Sequence, residues 1–200
     1  MKKLIIACFF ISGAVSAQDM NVVQGNFDFL KDQKKINTEF DYSDFTMMKE
    51  KKSEAQYVKE HKAELDEKAK GNGNIWEKKW VNAREQIWTP KFLEIANIVL
   101  TKEKKDLNFQ EGLKTPYTLI VKAVWIYPGW DAGIMKQPAK VTTNLKFVDS
   151  ANKSNVLLEI TSDEAPGDQW GSNFSNETRI GEGFAKTAKS MSKLIIKKTK

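Results

Sequence analysis

Hydrophobic and polar positions follow two different periods along this chain, and the order in which the periods change sets the expected fold. From Ile36 to Ser43 the larger side chains Ile36, Thr38, Phe40 and Tyr42 alternate with polar neighbours, which predicts a strand with one buried and one wet face. The period then lengthens. Ser53 followed by Gln56 has the spacing of a capping box, and Tyr57, Val58, His61, Leu65 and Ala69 recur as one helical stripe. Gly71-Asn72-Gly73 ends that helix, and Asn74 with Glu77 marks a second start, after which Trp76, Trp80, Ala83, Ile87 and Trp88 share a face. Proline is costly inside a helix and tolerated in a first turn, so Thr89-Pro90 predicts a break, with Thr89 capping a further helix that carries Phe92, Leu93, Ile95, Ala96, Val99 and Leu100.

Beyond Lys102 the pattern returns to strands. Tyr117 to Tyr127 is apolar on both faces apart from Thr118 and Lys122, the pattern of a central strand covered on both sides. Val141, Thr143, Leu145 and Phe147 alternate in the next strand, and Val156, Leu158 and Ile160 in the one after. Asp149 to Ser154 is the turn of this hairpin. The last element is a helix capped by Ser175 or Asn176, with Ile180, Phe184, Ala188, Met191 and Ile195 on one stripe. Gly181, Ala185, Ala188 and Ser192 lie on an adjoining stripe that lets the helix lie close against a sheet. Residues 18 to 32 read as a leader into the fold. The expected class is α+β: an antiparallel, or mixed, sheet of about four strands with helices packed on it, in the order β-α-α(-α)-β-β-β-α. Residues 18–200 form one domain.

The first 17 residues stand apart. Lys2 and Lys3 precede an apolar run from Leu4 to Ile11, and the small residues Val15 and Ala17 stand ahead of Gln18. This is the order of a cleavable export signal, cut after Ala17, which predicts a periplasmic or extracellular protein. The run is too short to span a bilayer, which takes about 20 residues, so no transmembrane segment is expected in the mature chain. Ile5-Ile6-Ala7-Cys8 loosely resembles a lipobox, but four apolar residues between Lys3 and Cys8 make too short an apolar core. Removing 17 of the 200 residues leaves 183 and takes away Cys8, the sole cysteine, which excludes disulfides, thiol nucleophiles and thiolate metal sites from the remainder. The formal charge of +6 falls to +4 with the loss of Lys2 and Lys3. Only Arg84 and Arg179 are arginine, and the lysines alternate with glutamates along helix faces, so nucleic-acid binding is not expected.

Chemistry has few places to reside. His61, the single histidine, lies on a charged helix without the partners of a triad or zinc site. Asp131 with Asp163 or Asp168 could form the carboxylate pair of a glycosidase-like hydrolase. Asp163, Glu164 and Asp168 match no calcium loop, and Gly181-Glu182-Gly183 lacks the lysine of a phosphate loop. No catalytic residue, metal ligand or cofactor is assigned. Trp130 and Trp170 each sit in a glycine-containing segment. There an amphipathic ring can serve as a platform for a sugar or a partner, or fold back as a lid on the core. Trp130, Asp131 and Trp170 are therefore the candidate ligand-binding residues.

Tyr127-Pro128-Gly129-Trp130-Asp131-Ala132-Gly133 and Arg179-Ile180-Gly181-Glu182-Gly183-Phe184-Ala185-Lys186 resemble segments of an uncharacterised family of small secreted bacterial proteins. The element order is more remotely similar to the TolB N-terminal domain and the curli secretion lipoprotein. The resemblance implies an envelope role and no catalytic residue. The expectation is a non-enzymatic exported protein that binds a ligand, an envelope protein or a glycan through its aromatic loops. The alternatives are a carboxylate-dependent hydrolase and a structural envelope component.

Overall fold

The computed structural model describes residues 18–131, 135–167 and 175–200. In chain order, β1 (Asp19–Gly25) leads through a single 3-10 turn to β2 (Lys35–Asp41) and the short pair β3 (Thr46–Met47) and β4 (Lys52–Ser53). The helical region holds α1 (Glu54–Lys68), α2 (Asn72–Ala83), a π-helical turn (Arg84–Trp88) and α3 (Thr89–Lys102). Then come β5 (Asn108–Gln110), β6 (Tyr117–Tyr127), the ribbon β7 (Trp130–Asp131) and β8 (Lys136–Gln137), the hairpin β9 (Ala139–Asp149) and β10 (Val156–Gly167), and α4 (Asn176–Lys198).

The class is α+β, but the sheet is larger than expected and mixed. Its order is β1-β10-β9-β6-β2-β5, with β3 and β4 attached beside β6 to make eight strands; β7 and β8 pair separately. β6, β9, β10 and β1 run antiparallel, whereas β2 is parallel to both β6 and β5. The helical region explains the parallel pairing: it carries the chain from the end of β2 back to the end at which β5 and β6 begin. The supposed leader contains β1, an edge strand pairing with β10. Its side chains are mostly exposed, so no alternation betrays it.

The expectation that β6 is covered on both sides fails. Leu119, Val121 and Ala123 are buried, while Val124 is 41% exposed and Lys122 reaches Asp41 at 3.3 Å on the outer face. A bulge between Ala123 and Trp125 shifts the alternation by one residue, so that Ile126 is the next fully buried position, opposite Val141. One strand with a phase change reads in sequence as apolar on both faces. The outer face of β9 carries Lys140, Thr142, Asn144 and Lys146, and the helices cover the inner face alone.

Two helix ends depart from the sequence reading. α2 begins at Asn72, two residues early, because the Asp66 carboxylate of α1 accepts the backbone N–H groups of Gly71 and Gly73, each at 2.9 Å. Thr89 is helical rather than a cap, and its hydroxyl meets the Tyr42 hydroxyl at 2.9 Å. Pro90 does not break the helix. The preceding π turn, closed by the Thr89 N–H on the Arg84 carbonyl, absorbs the missing donor. By contrast, the Ser53 cap holds as expected, accepting the Gln56 N–H, and so does the Ser175 cap, accepting the Thr178 N–H.

The apolar stripe of α4 from Ile180 to Ile195 is wholly buried. Its small-residue stripe meets the helical arm rather than the sheet: a Cβ on Gly181 would lie 2.8 Å from Ile87, and Ser192 donates to the Ala96 carbonyl at 3.2 Å. Gly183 is the residue that closes on the sheet, where a Cβ would stand 2.6 Å from Val141 and 3.2 Å from the Ala165 carbonyl. Gly183→Val is therefore expected to destabilise the fold by about 2 kcal/mol through overpacking. Urea unfolding followed by circular dichroism measures this, and an unchanged midpoint would contradict the packing described. Removing the shared cap by Asp66→Ala is expected to cost about 1 kcal/mol in the same assay.

Candidate ligand-binding cleft

Three pieces of chain meet around a cleft of about 800 Å³: the α1–α2 hairpin, the segment from Tyr127 through Asp131, and the first turn of α4. The hairpin supplies Tyr57, His61 and Trp76, which interlock edge and face. His61 stacks on Tyr57 with centroids 5.7 Å apart and ring planes 6° apart, and meets the edge of Trp76 at 4.5 Å. Behind them Trp80 packs 5.4 Å from Tyr57 and 5.4 Å from Trp88, which stacks on Phe184 of α4. The aromatic wall is thus continuous with the core.

The facing segment depends on Gly129. Its φ is +70°, and a Cβ there would strike the Gln137 carbonyl at 2.4 Å, so glycine is required for the turn that carries Trp130. Trp130 is 42% exposed and donates its ring N–H to Gln137 at 3.1 Å; the Tyr127 hydroxyl donates to the same oxygen at 2.8 Å. Trp125, which the Met48 carbonyl accepts at 2.7 Å, braces Tyr127 by stacking.

Arg179 joins this segment to α4. Buried to 4% exposure, it donates through Nε to the Pro128 carbonyl at 3.1 Å and through a terminal nitrogen to Asn176 Oδ1. Burial lowers its pKa, and the charges of Asp131 and Glu177 push it back up. Burial also raises the Tyr57 phenol well above its ordinary value, so it remains protonated and able to hydrogen bond. Asn176 Nδ2 lies 3.4 Å from that hydroxyl.

Of the residues singled out in sequence, Trp130 and Asp131 both line the cleft. Trp170 and Asp168 lie outside the described residues. Asp163 stands in β10 opposite Asp19 of β1 and is not part of the lining. The other carboxylates that line the cleft are Glu60, Glu64 and Glu177. Sequence reasoning passed over His61, Trp76, Tyr57 and Arg179: the first two read as a solvated helix residue and a core residue. Their helical spacing was visible, but which side of the stripe faces a cleft depends on segments distant in sequence, Trp130 and the first turn of α4. Among the described residues, no group of three or more histidine, cysteine, aspartate or glutamate side chains could hold a metal ion. No helix among them is long and apolar enough to cross a membrane.

No family model matches the sequence, and no curated protein matches it. Two solved chains overlap the fold distantly. A PelC dodecamer from Paraburkholderia phytofirmans is 9% identical with a TM-score of 0.39, over 88% of this chain and 98% of that one. A variant of the same PelC is 9% identical with a TM-score of 0.37, over 88% and 96%. Neither likeness is to the TolB or curli domains, and overlap at this level bears on no functional assignment.

Lys52 fastens one rim of the cleft by donating to Glu60 at 2.6 Å. That hydrogen bond, helped by Gln56, lowers the Glu60 pKa, and it raises that of Lys52. The Glu60 contribution to stability is present above its ordinary pKa and lost as pH falls through the lowered folded value; that of Lys52 persists until pH rises through its raised value. The difference in urea midpoint between the native chain and Glu60→Gln should hold steady near neutrality and shrink as pH falls below the ordinary glutamate pKa of about 4. A difference that grows on acidification would contradict the tie.

Proposed function

We propose that this is an exported, non-enzymatic binding protein that seats a ring-shaped ligand, of which a glycan is the leading class, in the cleft between the α1–α2 hairpin and Trp130. One observation carries the reading: an exposed tryptophan and the ring cluster of Tyr57, His61 and Trp76 line the same open cleft. Aromatic faces with hydrogen-bonding groups at their edges suit pyranose rings, which are apolar on their faces and polar at their rims. Asn72, Asn176 and Ser175 line the same cleft and can serve the hydroxyls. A hydrolase remains the competing reading because several carboxylates share the lining. The pairing of Asp131 with Asp163 lends it no support, since Asp163 is not among the lining residues.

Calorimetric titration of the purified protein with cellotetraose and chitotetraose tests the proposal. At least one should bind, and Trp130→Ala should weaken that binding by about tenfold or more through loss of the stacked ring. Binding that is indifferent to Trp130 would overturn the assignment of the site, and release of shorter sugars on incubation would overturn the non-enzymatic reading. Export is tested separately: amino-terminal sequencing of the protein recovered from outside the cytoplasm should begin at Gln18.

A further inference from the structure

α4 departs from the charge pattern of the other helices. There, cations find carboxylates close by: Lys62 pairs with Glu77, Arg84 with Glu54, and Lys91 with Glu182 at the start of α4. Beyond Glu182 the sequence has no acidic residue, and Lys186, Lys189, Lys193 and Lys197 follow at intervals of three, four and four. That spacing sets all four on one face of the helix. Each is exposed, and none makes an ion pair among the described residues. The buried stripe from Ile180 to Ile195 occupies the other side of α4, so the lysines look away from the core.

Such a row destabilises the isolated fold, because like charges one turn apart on a helix repel. The negative end of the helix dipole offsets this for Lys197, in the last turn, but does not reach back to Lys186, Lys189 or Lys193. The neighbouring elements do not supply the missing acids. On α3 the single acid, Glu94, is matched in number by the exposed Lys102. On β10, Glu164 pairs with Lys140 and Glu159 with Lys146, both of β9. Glu159 and Asp163 alternate with Ile160 and Ser162, and Ser162 meets Thr187 of α4 at 3.3 Å, so the two acids face the other side of the sheet. The partner that relieves the repulsion is therefore an anion from outside the chain, and the rest of the face narrows its kind. A protein interface has an apolar, often aromatic centre that is poor in lysine. Nucleic acids and glycans are gripped by stacked rings or by the planar fork of arginine. From Lys186 to Lys197 there is no aromatic residue and no arginine. A layer of anionic lipid headgroups requires neither: it attracts lysines through charge alone, each adding about fivefold to binding.

We infer that the exposed face of α4 is an electrostatic docking surface for an anionic lipid bilayer. None of the four lysines lines the cleft, so the inference is independent of what the cleft binds. Sedimentation of the purified protein with vesicles tests it, comparing phosphatidylcholine alone with equal parts phosphatidylcholine and phosphatidylglycerol at low salt. The protein should sediment with the anionic vesicles only, and be released as salt is raised. Lys186→Gln and Lys193→Gln together should weaken that binding by about twentyfold, whereas arginine at both positions should retain it. Lys153→Gln, at a lysine of the β9–β10 turn that pairs with Glu39, should leave it unchanged. With part of the repulsion removed, the double glutamine variant should unfold at an equal or higher urea concentration in low salt; a lower one makes these lysines structural and overturns the inference. Equal binding to both vesicles overturns the part given to lipid charge, and anionic binding that the double variant retains overturns the part given to α4. Failure to bind either vesicle overturns the lipid, and retention on immobilised heparin that the double variant loses then assigns the face to a soluble polyanion instead.

Discussion

Trp88 is the side chain on which the two halves of this molecule depend. It is fully buried, stacks on Phe184 of α4, meets Trp80 edge to face, and donates its ring N–H to the Glu177 carbonyl at 2.8 Å. The first contact secures the helical arm to the sheet layer, the second begins the file of rings that ends at His61, and the third fixes where α4 starts. A buried indole N–H must find an acceptor. Here its acceptor is the backbone of a residue that lines the cleft, so core packing sets the position of the candidate site. Arg84, 5.7 Å from the same indole and paired with Glu54, extends that control to the start of α1.

Elements that bury one face over many residues were legible in the sequence. The hairpin of β9 and β10, the stripe of α4 and the Ser53 and Ser175 caps all rest on local chemistry that the chain states outright. What was lost is governed by partners distant in sequence. β1 is an edge strand with little to bury, β3 through β5 are too short to show a period, and the bulge at Val124 disguises a one-sided strand as a two-sided one. Pro90 misled because its cost was reckoned for a regular helix, while the π turn ahead of it changes which carbonyl awaits a donor.

The cleft was half legible for a related reason. Trp130 and Asp131 announce themselves by a local irregularity, a glycine with positive φ and an aromatic residue beyond it. Tyr57, His61 and Trp76 sit in ordinary helices and come together only because α2 turns back along α1, at a corner where Asp66 accepts the N–H groups of Gly71 and Gly73. Arg179 joins the Pro128 carbonyl to Asn176 at the start of α4, a link between segments that no spacing rule connects.

The unbroken passage through Pro90 has a mechanical meaning. From Asn72 to Lys102 the chain is helical without interruption, with its first turns forming a wall of the cleft and its last turns lying against α4. A wall hung on a hinge could close over a ligand at little cost to the rest of the fold, and its motions would be private to it. A wall that is the end of a core helix cannot yield alone. Strain placed on that wall is therefore felt by the whole domain, as a shift in global unfolding rather than as the quieting of a flap.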